Sequence, residues 1–125
     1  MKLTPKEQER LLIFGIAEIA RRRWKRNLKL NYIEATAIIC DELLERARAG
    51  MNSLAELIEL GSRIITEEDV MEDTARLIPM IQLEVMLPDG NKLLTVHDPI
   101  RLEKRDQALK ELVSMYEEGG CNGSV

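Results

Sequence analysis

The stretch "MIQLEVMLPDGNKLLTVH", residues 80–97, limits the possible folds more than any other part of the chain. Ile81, Leu83, Val85 and Leu87 alternate with Met80, Gln82, Glu84 and Met86. That period of two is a strand signature, because successive strand side chains point to opposite faces. "PDGN" supplies turn chemistry: proline presets φ, aspartate bonds locally and glycine accepts positive φ. "KLLTVH" then returns with Leu94 and Val96 on one face, and Pro99 ends it. A lone two-stranded hairpin is marginal in water. Its apolar face therefore needs a helical layer from this chain or strands from another, which already suggests a subunit.

The rest of the sequence is written in helical spacing. Thr4-Pro5-Lys6-Glu7 combines an N-cap, a proline at the first helical position and a glutamate that completes a capping box. Leu12, Ile16 and Ile19 follow as an apolar stripe, flanked by Leu11 and Ile13, and Asn27 can close the helix in the left-handed conformation. A second helix opens at Asn31 with Glu34, carries Ile33, Ala37, Ile38 and Leu44, and ends at Gly50. A third, short one opens at Ser53 with Glu56 and stops at Gly61. A fourth opens at Thr66, with Glu67, Glu68 and Asp69 in its first turn, and ends before Pro79. Beyond the hairpin, Leu102, Leu109, Leu112, Val113 and Tyr116 stripe an extra tail helix, and "GGCNGSV" is a frayed end. The expectation is an α+β fold: a bundle of about four helices, a β-hairpin after them, and a tail helix. One domain is expected over residues 1–100, with a helical extension over 101–125.

Composition narrows the setting. No apolar run approaches the roughly 20 residues that span a bilayer, so no membrane is expected. The charged start "MKLTPKEQER" lacks an apolar signal core. Cys40 and Cys121 are too far apart in sequence to suggest a disulfide framework. A cytoplasmic protein is the expectation. The net charge of −4 argues against nucleic acid as the main partner.

Four features invite a chemical reading. His97-Asp98 resembles a catalytic dyad, but adjacent strand residues point apart, so a strand-end histidine before a turn is favoured. One histidine and two distant cysteines do not supply the several close ligands of a zinc site. Glu67, Glu68 and Asp69 suit the first turn of a helix better than a metal. "RRRWKR", from Arg21 to Arg26, could grip phosphates and stack a base. The alternative, a helix end with Trp24 packed as an interface anchor against an acidic neighbour, is preferred. Cys40 within "AIIC" reads as a buried thiol, and no phosphate loop or nucleophile elbow is present. The residues therefore offer no catalytic, cofactor-binding or metal site. The interface candidates are Arg23, Trp24, Tyr32, His97 and Asp98.

Five fragments, in register, carry a resemblance: "MKLTPKE", "LKLNYIEA" at 28–35, "DVM" at 69–71, "IPMIQLEV" at 78–85 and "PDGNKLLTVHDPI" at 88–100. Together they resemble the γ subunit of bacterial urease, over residues 1–100. The resemblance implies a non-catalytic structural chain in an amidohydrolase complex that converts urea to ammonia and carbamate. It places two nickel ions and the catalytic residues, including a carbamylated lysine, in the partner α subunit, leaving no cofactor in this chain. It implies α and β subunits as partners in a trimer of heterotrimers. The competing reading is a small helical nucleic-acid-binding or regulatory module built on Arg21–Arg26.

This chain departs from the family pattern at several positions. Asn27, Arg46 and Asp73 stand where the family usually has glycine, and Ile33 where it often has proline. A side chain at 46 or 73 is expected to clash if backbones approach closely there. Residues 101–125 match neither a γ chain that stops near "HDPI" nor a fused chain in which β follows. The tail is expected to add a contact to a neighbour rather than cover the chain's own hairpin.

Overall fold

The computed structural model describes residues 1–104. Three α-helices come first: α1 (Pro5–Lys25), α2 (Tyr32–Ala49) and α3 (Leu54–Gly61). Two short 3-10 turns follow, Glu67–Asp69 and Thr74–Leu77, and then strands β1 (Met80–Leu87) and β2 (Gly90–His97). Each α-helix starts at the capping box written in its sequence. Thr4 Oγ1 accepts from the Glu7 backbone N–H at 3.2 Å, Asn31 Oδ1 from that of Glu34 at 2.8 Å, and Ser53 Oγ from that of Glu56 at 3.2 Å. The glutamate carboxylates return the bond to the cap N–H groups. Bonds from Thr4 and Ser53 hold the Glu7 and Glu56 carboxyls below the usual carboxylate range.

The hairpin forms, with Leu87 paired to Gly90 across the Pro88-Asp89 turn, so that β2 begins two residues before the expected Lys92, and Met80 paired to His97 at the base. Ile81, Val85 and Leu87 of β1 and Leu94 and Val96 of β2 are buried, so one sheet face is the core face. It packs on α2 through β1 and on α3 through β2. The helical layer that the hairpin needs is thus supplied by α2 and α3. Gly61 shows how close that contact is: a Cβ there would sit 2.7 Å from Val96 Cγ2. Leu30, Ile38, Ile39, Leu43, Leu57, Ile64 and Ile65 complete an aliphatic core.

Two expectations are corrected. The fourth helix from Thr66 does not form; only three residues turn before the chain extends. Thr66 begins as expected, its backbone N–H and hydroxyl both donating to Asp69 Oδ2 at 2.9 and 2.8 Å. Val70 is then pulled into extended geometry (φ −116°, ψ 162°) by a parallel bridge to Leu30. Leu30 N–H donates to Asp69 O and Met71 N–H to Leu30 O, both at 2.9 Å. Pairing with a distant segment overrides the local helical start. Asp73 follows at φ 66°, which breaks any continuation into Thr74–Leu77.

The second correction concerns α1. Its expected core stripe faces out: Leu12 is 66%, Ile16 39% and Ile19 52% exposed. The inward face instead carries Ala17, Ala20 and Arg21, with Ile13 and Trp24 packed beside them. Small side chains let α1 lie close to α2, and that close fit selects the alanine face over the leucine face. The tail helix expected from residue 101 is absent over residues 101–104, which are not helical, and its remainder, 105–125, lies outside the described residues.

Candidate functional site

The strongest side-chain constellation lies in the seam between α1 and α2. Asp41, 3% exposed, receives two guanidinium groups. Arg10 reaches Oδ1 at 2.7 Å and Arg21 reaches Oδ2 at 2.6 Å. Arg21 also donates to Glu42 Oε1 at 3.0 Å, and Arg10 to Glu45 Oε1 at 2.7 Å. Arg46 adds its Nε at 4.0 Å from Glu42 Oε2, too far for a hydrogen bond, and that buried nitrogen has no partner among the described residues. Arg46 is one of the positions where a glycine was expected. The side chain lies half-buried in the seam, with its Nε left as an unsatisfied donor among the described residues. Burial pushes the Glu42 carboxyl above its usual range, against the lowering pull of Arg21 and Arg46. Burial, aided by Asp41, pushes the neighbouring Cys40 thiol up to about 11. At neutral pH that sulfur is a protonated, inert thiol. Its carboxylates are all matched by guanidinium groups, so the chemistry of the cluster is adhesion between helices.

The basic run is dispersed by the fold. Arg21 turns into the buried seam, Arg22 pairs with Glu18 at 3.6 Å, and Arg23 pairs with Glu34. Trp24 is half-buried, and its Nε1–H donates to Asp69 Oδ1 at 3.0 Å. That bond ties the last turn of α1 to the Glu67–Asp69 turn. Tyr32 stands exposed at the start of α2. The five interface candidates therefore fall in two places. Arg23, Trp24 and Tyr32 lie around the α1–α2 corner, and His97 and Asp98 at the base of the hairpin.

His97 and Asp98 are both exposed, and among the described residues neither side chain has a hydrogen-bond partner. Asp98 sits at φ 46°, which directs the chain out of the strand. Its N–H donates to Pro79 O at 2.9 Å. Arg101 then clamps the corner, donating to the carbonyls of Asp98 (3.0 Å) and His97. The pair is a strand-end corner with no triad geometry. Among the described residues no three His, Cys, Asp or Glu side chains could hold a metal ion. No helix there is long and apolar enough to cross a membrane. An open groove of about 600 Å³ runs between the start of α1, the end of α2 and β1, edged by Lys6, Arg10, Glu45, Arg48 and Glu84. It carries neither a histidine nor a cysteine.

The sequence reading overlooked the outward apolar surface. Leu11, Leu12, Phe14, Ile16 and Ile19 are exposed on α1. Leu28, Tyr32, Ile33 and Met71 are exposed near the Leu30–Val70 bridge, and Met80, Met86 and Leu93 on the outer hairpin face. A signal for it existed. Residues 11–20 of the first helix are apolar around most of the circumference, which a helix with one solvent face does not need. Monomeric proteins rarely expose large contiguous apolar patches.

Fold and surface together define a class: a small α+β chain built to be one subunit of a larger assembly. Comparison with known proteins specifies it further. The family model described as "Urease, gamma subunit" matches residues 1–100. "Urease subunit gamma" of Natronomonas pharaonis is 53% identical over 107 residues, covering 86% of this chain and 97% of that protein. "Urease subunit gamma/beta" of Pseudomonas syringae pv. syringae is 52% identical over 101 residues, 81% of this chain but only 43% of that longer protein. The chain belongs to the urease gamma-subunit family.

Proposed function

We infer that this chain is a non-catalytic γ subunit, acting in a nickel-dependent complex that hydrolyses urea to ammonia and carbamate. The family match over residues 1–100 carries the reading. The donor set agrees with it: the described residues do not fit a dinuclear nickel centre, since His97 stands alone at an exposed corner and Cys40 is buried and protonated. The metal and the reacting groups belong, on this reading, to an α subunit. The partners are α and β chains in a cytoplasmic trimer of heterotrimers. Arg23, Trp24 with its half-exposed ring, and Tyr32 supply one contact. His97 and Asp98, beside Met80 on the outer hairpin face, supply another. Burying Tyr32, Leu28 and Met71 against a partner would remove apolar area from water at about 25 cal/mol per Å².

The test is co-expression of α and β chains with and without this one. Omitting it is expected to abolish the full-size complex by light scattering, together with urea hydrolysis. An active complex of unchanged size would refute the reading. The nucleic-acid alternative predicts salt-dependent binding. The pairing of Arg21, Arg22 and Arg23 with acidic neighbours leaves no continuous basic face, so a flat low-salt titration is expected.

A further inference from the structure

The outer edge of β1 is a row of unused backbone groups. An antiparallel ladder exchanges its bonds at every second residue pair. Here Asp98 N–H donates to Pro79 O at 2.9 Å, and the two-residue turn closes on Leu87 and Gly90. Ile81, Leu83, Val85 and Leu87 therefore turn their N–H and C=O groups toward β2. Those of Met80, Gln82, Glu84 and Met86 turn the other way, and none has a partner among the described residues. No bulge or proline interrupts this edge, which runs about 20 Å from Met80 to Met86. The outer edge of β2 is stopped at its base, where Arg101 donates to the His97 carbonyl. Bare edges are normally covered, twisted away or blocked, because they template pairing with another chain.

The β1 edge opens into the groove of about 600 Å³ between the start of α1 and the end of α2, which Gln82, Glu84 and Met86 line. Half-buried Ile13, Leu44 and Leu83 give that groove an apolar floor. Most of its charges are already matched: Lys6 with Glu84, and Arg10 with Asp41 and Glu45. Arg48 and Glu9 also line it, and neither has an ion-pair partner among the described residues. A donor and an acceptor repeated every second residue, beside an apolar floor, is the recognition surface for an extended peptide: main-chain bonds bind it and alternate side chains select it. A second copy of β1 is a poor occupant. It is flanked by its own α1 start, pinned there by the Lys6–Glu84 pair, and does not enter the groove as a bare strand.

We propose that the outer edge of β1 takes an extended segment of a partner subunit as a third strand of the sheet. The segment bonds the N–H and C=O groups of Gln82, Glu84 and Met86. Its alternate side chains are apolar and cover Ile13, Leu44 and Leu83, and a carboxylate on it reaches Arg48. This rests on the reading of the chain as a subunit, and it names the mode of contact: strand addition, in which the partner's backbone completes the lone hairpin.

The test uses the full chain assembled with co-expressed α and β chains. Residue-resolved hydrogen exchange by mass spectrometry follows single amides in the complex. The Gln82, Glu84 and Met86 amides are expected to exchange within about tenfold of those of Leu83 and Val85, which bond β2. Faster exchange than that would overturn the proposal. A benzophenone amino acid in place of Gln82 then identifies the occupant, since its side chain lies beside the edge and takes no part in the β2 ladder. Cross-linking to an α or β chain peptide is the expected result. Cross-links only to a second copy, or to no chain, would overturn the proposal. A full-size complex with fast-exchanging edge amides removes the strand addition alone. Failure to form any complex with α and β chains removes the subunit reading and the proposal with it.

Discussion

The α1–α2 seam and the hairpin–α3 seam hold the same small protein together by opposite means. The first is charged. Asp41 lies between Arg10 and Arg21, Glu42 lies beside them, and alanines fill the space between. The second is apolar, with Val96 of β2 set against the bare backbone of Gly61 in α3 and with Leu94 and Leu57 also buried. A charged seam fails when one partner is removed, since the remaining charge stays buried. An apolar seam fails when volume changes by a single methyl group.

The largest effect is expected from Asp41→Ala. It removes a buried carboxylate from the 5%-exposed Arg21, and breaking a buried pair in this way costs about 3–5 kcal/mol. Guanidinium chloride denaturation of the assembled complex reads it as a lower midpoint. A loss under about 1 kcal/mol, the range of exposed pairs, would show the seam to be solvated.

Gly61→Ala comes next. Its methyl would sit 2.7 Å from Val96 Cγ2, and overpacking of this kind costs about 1–3 kcal/mol. Pairing it with Val96→Ala should recover part of the loss, because the second change removes the atoms that clash. A double variant less stable than the sum of the two singles would break the steric account.

A smaller effect separates the seams by pH. Burial raises the folded-state pKa of Glu42 above its unfolded value. The folded chain then holds that proton more tightly, so the contribution is fully present below the unfolded pKa of about 4.5 and fades as pH rises through the raised folded value. Glu42→Gln should remove this slope, so the variant gains relative to the parent between acid and neutral pH. Parallel stability curves for the two proteins would refute it. Gly61 variants, lacking a titrating group, should shift without changing slope.

The mildest probe leaves both seams intact. Cys40, buried beside Asp41 with its pKa at about 11, should resist iodoacetamide in mildly alkaline buffer in the native chain and react on unfolding. Peptide mass spectrometry follows the Cys40 peptide directly. Rapid native labelling would mean the α2 seam opens far more often than its buried charges suggest.

Much of this architecture is local and was therefore legible. Thr4-Glu7, Asn31-Glu34 and Ser53-Glu56 set three helix starts within four residues each, and the alternation of residues 80–97 set the hairpin. The left-handed residues were partly legible too: Asn27 holds φ 61° as expected, whereas Asp73, at φ 66°, falls inside the stretch expected to be the fourth helix. The site residues were less so. Trp24 was marked for its side chain, but that it bonds Asp69 depends on where residue 69 is folded to. Asp41 was not marked at all, because nothing in "AIICDELLER" indicates that two arginines from another helix converge on it.

What the sequence by itself determined is the list of elements: where helices begin, where the strands alternate and where the chain turns. Those depend on bonds between near neighbours and on side-chain period. Only the tertiary structure decided which face of α1 is inside, that Thr66–Leu77 bends into two short turns rather than one helix, and that Arg21, Arg22 and Arg23 are paired with acidic neighbours. Each depends on a surface brought from elsewhere in the chain. α2 accepts the alanines of α1 and excludes its leucines, Leu30 claims Val70, and Asp41, Glu42 and Glu34 neutralise Arg21 and Arg23.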